Sequence, residues 1–155
     1  VQLSRYVAAL ANRGNVFELS LLDKLTDSDG NLIKDYTPAI SSHVDAADST
    51  WDAVQTGMRR VITDSSAKSI FSVEVAGKTG TAQEDKSRSN HAFFVSFAPY
   101  SHPEIAVTVN IPYGYAGTNA ATLGKKVYEY YYKYTTLEQI ESSGALGVSN
   151  VNIGD

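Results

Sequence analysis

Hydrophobic positions along the chain come in distinct periods. Leu3, Tyr6, Val7, Leu10 and Ala11 recur at helical spacing and predict a first helix with one apolar face, stopped by Gly14 after Asn12-Arg13. No capping residue precedes Val1, which carries the expectation that residues upstream have been removed. From Val16 to Tyr36 the pattern is looser. Phe17, Leu19, Leu21 and Leu22 are followed by the turn signal Asp29-Gly30-Asn31, and Leu32-Ile33 resume the apolar run. This reads as a β-hairpin-like excursion. Thr37 to Asp48 is polar, contains Pro38 and reads as a connection. Ser49 or Thr50 then caps a second helix, whose start Ser49-Thr50-Trp51-Asp52 resembles a capping box. Trp51, Val54, Met58, Val61 and Ile62 form its buried face, with Trp51 and Met58 read as core. Thr63 to Ser69 is a polar loop.

Ile70-Phe71-Ser72-Val73-Glu74-Val75 alternates and predicts a strand. Glu84 to Asn90 is charged and lacks apolar residues, so it reads as an exposed loop. Ala92 to Ala98 and Glu104 to Ile111 are apolar strands, closed by Pro99 and Pro112. Their short link, Tyr100 to Pro103, favours antiparallel pairing, and their apolar character on both faces predicts cover on both sides. Thr118 or Asn119 caps a last helix with Leu123, Val127, Tyr130, Tyr131 and Tyr134 on one side. The tyrosines suit either a binding platform or the edge of a core, where amphipathic rings are commoner. From Ser142 the chain is rich in Gly, Ser and Asn, which predicts a flexible tail over residues 142–155. The fold class is α+β, a mainly antiparallel sheet packed against helices, with the last helix and the first covering one face.

Composition narrows the classes. A chain of 155 residues is one domain or a large piece of one. A net charge of −4 without a basic stripe argues against nucleic acid as a partner. The absence of cysteine excludes disulfides and thiolate metal sites. No apolar run approaches the ~18 residues of a membrane span.

Between the predicted strand and the charged loop lies Val75-Ala76-Gly77-Lys78-Thr79-Gly80-Thr81-Ala82-Gln83, a stretch without bulk. Glycines allow close approach to the backbone, the lysine brings positive charge, and the threonines bring hydroxyls and N–H groups. Such an edge suits an anionic ligand that also takes main-chain hydrogen bonds. Gly77-Lys78-Thr79 also ends a Walker A pattern, but Ser72 stands where that motif needs its first glycine and no helix pattern follows the lysine. His43, His91 and His102 are scattered, so a metal site is not expected. A Ser–His–Asp arrangement stays open, although no G-x-S-x-G elbow is present. His91 stands out by its place between the loop and the next strand, with a surface or capping role as the plainer reading. Asp27, Asp29 and Asn31 hint at a calcium loop, but Gly30 is at the fourth position of that pattern rather than the sixth, which favours a turn. Ser65-Ser66-Ala67-Lys68 matches S-x-x-K, a spacing in which the lysine activates the serine of certain acyl transferases. The match sits in a Ser/Lys-rich loop, where it arises readily by chance.

Lys78-Thr79-Gly80-Thr81-Ala82-Gln83, preceded by Ala76-Gly77, closely resembles the third signature of penicillin-binding protein transpeptidase domains. Other features agree in order. Gln2-Leu3, Tyr6, Ala9 to Asn12 and Gly14 resemble the helix after that family's second signature. Trp51, Val54, Gly57-Met58 and Val61 resemble the helix before the third. His91-Ala92-Phe93-Phe94 with Ala98-Pro99, then Pro103 to Val107, resemble the paired strands that follow. The resemblance is greatest to the class B, monofunctional type and covers residues 1–141. It implies the C-terminal part of a transpeptidase domain of the penicillin-binding protein/serine β-lactamase-like fold. The nucleophile signature belongs far upstream and S-x-N is absent, so Ser65 does not match the family's serine and the chain alone is expected to be inactive.

The resemblance further implies a peptidoglycan D,D-transpeptidase that works through an acyl-serine and is trapped by β-lactams. Lys78 would supply positive potential, and Thr79 and Thr81 would hold the substrate carboxylate. The backbone N–H of Thr81 would serve the oxyanion hole, and Gly80 would allow close approach. No cofactor is implied. The implied partners are stem peptides, β-lactams and the missing N-terminal half of the domain, with self-association of the exposed piece. The implied location is the extracytoplasmic face of a bacterial membrane. A non-catalytic peptidoglycan- or partner-binding module and a β-lactamase-like hydrolase are the alternatives.

Overall fold

Strands β6 (His91–Ala98) and β7 (Ile105–Ile111) carry apolar residues on both faces, and the fold is built on them. In a computed structural model, which describes residues 1–65 and 70–143, they form an antiparallel sheet with β5 (Ala76–Ala82) in the order β5-β6-β7. The elements before the sheet are α1 (Gln2–Ala11), β1 (Asn15–Phe17), β2 (Lys24–Thr26), β3 (Leu32–Asp35), β4 (Ile40–His43) and α2 (Asp48–Thr63). After it come α3 (Gly117–Tyr131) and α4 (Leu137–Ser142). This is the α+β architecture the sequence implies.

The register separates two faces. Gly77 pairs with Ser96, Thr79 with Phe94 and Thr81 with Ala92, while Phe94 pairs onward with Val109. Alternation puts these on one face. There Phe94, Val107 and Val109 pack with Ala120, Ala121 and Tyr128 of α3. On the opposite face Ala76 and Phe97 pack with Val7 and Ala11 of α1 and Met58 of α2. Phe94 and Phe97 are both fully buried, each contributing about 1.5–3 kcal/mol by leaving water. The expected double cover is therefore present, but α1 lies across the sheet from α3, the helix expected beside it on one face. Gln55 fastens α2 to α1 by donating from Nε2 to the carbonyls of Leu10 (2.8 Å) and Ala11 (3.1 Å), which the helix itself leaves unpaired.

Several expectations are corrected. The strand expected over Ile70 to Val75 starts instead at Ala76. β6 ends at Ala98, and Pro99 has no N–H to extend the ladder. The Glu74 carbonyl accepts from Tyr100 N–H (2.6 Å) instead, and Phe71 and Val73 pack on the core from an irregular segment. The connection expected over Thr37 to Asp48 contains β4, which pairs antiparallel with β1. Its four residues are exposed, so no hydrophobic pattern marks it. The excursion holds a short hairpin, β2 with β3. At its turn the Asp27 carboxylate accepts from the N–H groups of Asp29 (3.0 Å) and Asn31 (2.8 Å) and from Asn31 Nδ2 (3.0 Å). These bonds, those of Asn31 foremost, hold the Asp27 carboxyl below its ordinary range. The carboxylate serves the turn.

Helix starts also shift. The N-cap of α2 is Ala47 and that of α3 is Ala116, neither with a side-chain cap, so Ser49, Thr50, Thr118 and Asn119 lie inside their helices. The buried face of α3 is Gly117, Ala120, Ala121, Gly124 and Tyr128. Of the expected face only Leu123 packs on the core, while Val127, Tyr130, Tyr131 and Tyr134 are exposed. α4 has a capping box between Thr136 and Gln139 that the sequence reading passed over. The tail expected over residues 142–155 lies, beyond Ser143, outside the described residues.

Candidate active site

Strand β5 carries the Lys78–Thr81 run out of the core. Ala76 and Gly77 are buried, Thr79 and Gly80 half-buried, and Lys78, Thr81 and Ala82 exposed. The Arg59 guanidinium anchors the start of the run by donating to the Val75 carbonyl at 2.7 Å. β5 pairs with β6 along its whole length and, among the described residues, with no strand on its other edge. An unpaired edge presents a row of N–H and C=O groups to an extended ligand.

The side chains flank that edge from both sides. Lys78 points to the α1 side and lays its ammonium back on the Thr79 carbonyl, Nζ to O at 2.7 Å. Thr79 and Thr81 point to the α3 side, where the Gly117 N–H donates to Thr81 Oγ1 at 3.2 Å. Gly117 has no room for a side chain, because a Cβ would lie 2.8 Å from the Gly80 carbonyl oxygen and from Thr79 Cβ. Gly77 is equally confined, at 2.9 Å from Phe94 and Ser96. Gly80 is not: a Cβ there would meet only Phe93 Cβ, at 3.4 Å. Packing within the chain demands glycine at 77 and 117 and leaves position 80 free for other demands.

A second polar group lies where the motif ends. His91, paired across the ladder with Ala82, has its Nε2 3.2 Å from Glu84 Oε2 and accepts the Tyr113 N–H on Nδ1 at 3.3 Å. Arg88 donates to the Tyr113 hydroxyl at 3.1 Å. Sequence reading singled out His91 but neither Glu84 nor Tyr113, since nothing local ties residues 29 positions apart. The other histidines lie elsewhere. His43 bonds Asn15 Oδ1 at 2.9 Å, and His102 is exposed. Among the described residues no group of three or more His, Asp or Glu could hold a metal ion. Ser65 donates to the Val61 carbonyl at 2.7 Å, just past α2, while Ser66, Ala67 and Lys68 of the S-x-x-K match lie outside the described residues. A cleft of about 380 Å³ between the Phe17–Asp23 segment and Tyr36 and Pro38 is lined by none of the candidate site residues Lys78, Thr79, Gly80 and Thr81.

An edge strand with an ammonium on one side and two hydroxyls on the other can hold a carboxylate while pairing with the backbone that bears it. Known proteins share this arrangement of elements. Penicillin-binding protein 2A of Bacillus subtilis is 29% identical over 92% of this chain and 23% of its own length. Peptidoglycan D,D-transpeptidase MrdA of Haemophilus influenzae is 30% identical over 84% of this chain and 23% of its own length. The chain thus spans about a quarter of the length of the curated relatives it matches. The imipenem acyl-enzyme complex of penicillin-binding protein A from M. tuberculosis superposes with a TM-score of 0.71, covering 81% of this chain and 29% of that one at 25% identity. The model of the penicillin binding protein transpeptidase domain matches residues 1–129, from α1 through most of α3. With strand, flanking helices and motif all falling inside that match, the chain belongs to the penicillin-binding protein transpeptidase family.

Proposed function

We propose that this chain forms the strand-side wall of a peptidoglycan D,D-transpeptidase site, in which a serine outside this sequence is acylated by a stem peptide and trapped by β-lactams. The observation that carries the reading is the open edge of β5, flanked by Lys78 on one side and Thr79 and Thr81 on the other. A stem peptide adds as a further strand to that edge. The Lys78 ammonium supplies positive potential, and the Thr79 and Thr81 hydroxyls hold the terminal carboxylate. The Thr81 N–H donates to the oxygen that becomes negative as the serine attacks. Gly80 lets the peptide lie against the backbone. A donor so placed counts most in the transition state, where the charge is concentrated. The acyl-enzyme seen for the M. tuberculosis relative supports β-lactams as ligands, and the D,D-transpeptidase among the relatives supports the substrate class. The site would then face the extracytoplasmic side of a bacterial membrane, where peptidoglycan is cross-linked.

The test has two arms. Intact-mass measurement of this chain after incubation with a penicillin is expected to show no added mass. A stoichiometric adduct abolished by Ser65→Ala would overturn the split-site reading and make Ser65 the nucleophile. In the full-length protein, Thr81→Pro deletes the proposed donor and should slow acylation by roughly 10²–10³-fold, with Thr81→Ser close to normal. An unchanged rate in a folded Thr81→Pro protein would remove Thr81 from the oxyanion hole.

A further inference from the structure

The turn between β7 and α3 is held in a conformation its residues do not favour. Tyr113 has φ 54° and Tyr115 φ 67°, in the left-handed region where a side chain is crowded by the backbone. Such residues persist only where their surroundings over-determine them. Here the surroundings are the start of β6. The Tyr115 N–H donates to the Asn90 carbonyl at 3.0 Å, and the Tyr113 N–H donates to His91 Nδ1 at 3.3 Å. The Tyr113 ring lies on the imidazole, with centroids 4.9 Å apart. Gly114 is wedged in, since a Cβ would fall 2.9 Å from that of Ala92. The turn leads directly into Ala116 and Gly117, and it is Gly117 that donates to Thr81 Oγ1.

His91 can do this in only one protonation state. A backbone N–H only donates, so Nδ1 must offer its lone pair and Nε2 must bear the proton. Nε2 then donates to Glu84 Oε2 at 3.2 Å, on the loop that leaves β5. The Tyr113 hydroxyl adds to the same carboxylate at 3.5 Å and accepts from Arg88. The imidazole side chain is 22% exposed and so largely shielded. One side chain therefore ties the loop after the motif to the turn before α3, on either side of Thr81.

We propose that His91, held as the Nε2–H tautomer between Glu84 and the Tyr113 N–H, is a positioning residue that fixes Thr81 through the 113–117 turn. Its consequence for catalysis rests on the reading of Thr81 as a site residue; the latch itself does not. Nitrogen-15 spectra of the chain in mildly alkaline solution, where imidazole is neutral, should show Nδ1 unprotonated and Nε2 protonated. His91→Ala should speed hydrogen exchange at the Tyr113 and Gly117 amides by about tenfold or more, with the β6 and β7 amides unchanged. His91→Asn, whose Oδ1 can still accept from Tyr113, should restore much of that protection. Glu84→Ala removes the Nε2 partner but leaves the Tyr113 N–H on Nδ1, so the Nε2–H tautomer should persist, and its loss would count against the latch. An Nδ1–H tautomer in the unaltered chain, or Gly117 exchange indifferent to His91→Ala, would overturn the proposal. Should the latch behave as described while Thr81 substitutions leave acylation of the full-length protein untouched, the site reading fails and the latch stands.

Discussion

Gly77 and Gly80 stand three residues apart in one strand, and substitution by alanine should separate what each is for. At Gly77 a Cβ would lie 2.9 Å from Phe94 Cε2 and Cζ and from Ser96 Cβ. None of these atoms can retreat. Phe94 and Ser96 are fully buried, the Phe94 ring stacks on Phe71 at 5.7 Å, and its far edge lies against Gly124. Overpacking of this kind costs about 1–3 kcal/mol. The stiffer unfolded chain returns roughly 0.4–1 kcal/mol. The net loss is about 1–2 kcal/mol, which lowers Tm by roughly 2–8 °C for a chain of this size. At Gly80 the nearest atom would be Phe93 Cβ at 3.4 Å, an ordinary contact. Only the unfolded-state gain remains, so Tm should stay level or rise by roughly 1–4 °C. Thermal unfolding followed by circular dichroism on the two variants side by side decides the matter. On the proposed function, Gly80→Ala should impair acylation of the full-length protein despite its stability, because the methyl group would stand where the ligand is proposed to approach. A Gly80→Ala chain as unstable as Gly77→Ala would refute the division of roles.

Other consequences are shorter. Tyr128 donates to Ser96 Oγ at 2.8 Å inside the core, and Ser96 donates on to the Val107 carbonyl at 3.4 Å. Ser96→Ala strands a buried hydroxyl and should cost about 1–3 kcal/mol in urea unfolding, more than the ~1 kcal/mol of Tyr128→Phe, and the reverse order would contradict this pairing. Burial pushes the Tyr128 phenol well above its ordinary value, and burial together with the nearby Glu104 carboxylate pushes Tyr132 up to about 12. Since both are held neutral in the fold, their contribution is complete below about pH 10 and is lost as pH rises further. Denaturation at graded alkaline pH should show that loss, and it should be smaller in Tyr128→Phe. Leu21, Leu22, Leu32 and Ile33 are exposed, which favours self-association of the isolated chain; a clean monomer in light scattering at high concentration would count against it.

What the sequence disclosed depended on how each element is held. β6 and β7 were readable because their own side chains fill the core and prolines close them. β5 was misplaced because Ala76, Gly77, Thr79 and Gly80 carry no hydrophobic period, while Phe71 and Val73 do, without being in a strand. β1 and β4 pair through backbone and polar side-chain bonds, Ser41 to the Val16 carbonyl and His43 to Asn15, with β4 wholly exposed, and leave no hydrophobic pattern to read. In α3 the bulky residues misled, since Ala120, Ala121 and Gly124 are small so that the helix can sit close. The site showed the same contrast. Lys78 to Thr81 were legible as one contiguous motif, but Gly117, 36 residues beyond Thr81, became part of it only through folding.

That closeness links stability to the site. Gly77 lies under one edge of Phe94 and Gly124 over the other, so the ring is a spacer between β5 and α3 that two missing Cβ atoms make possible. Two helical turns earlier, Gly117 rests on the Thr79 Cβ and the backbone of Gly80. The three glycines together set how near α3 approaches the sheet. Because α3 supports the strand from one side, the motif needs no strand on its outer edge to stay extended. The edge can remain open to a ligand without the strand losing its place. Fixing the helix also fixes the Gly117 N–H, and with it the Thr81 side chain. A core substitution that lifts α3 should therefore disturb Thr81 even though it touches nothing in the site, and defects in stability and in ligand capture should appear together wherever they arise from this contact.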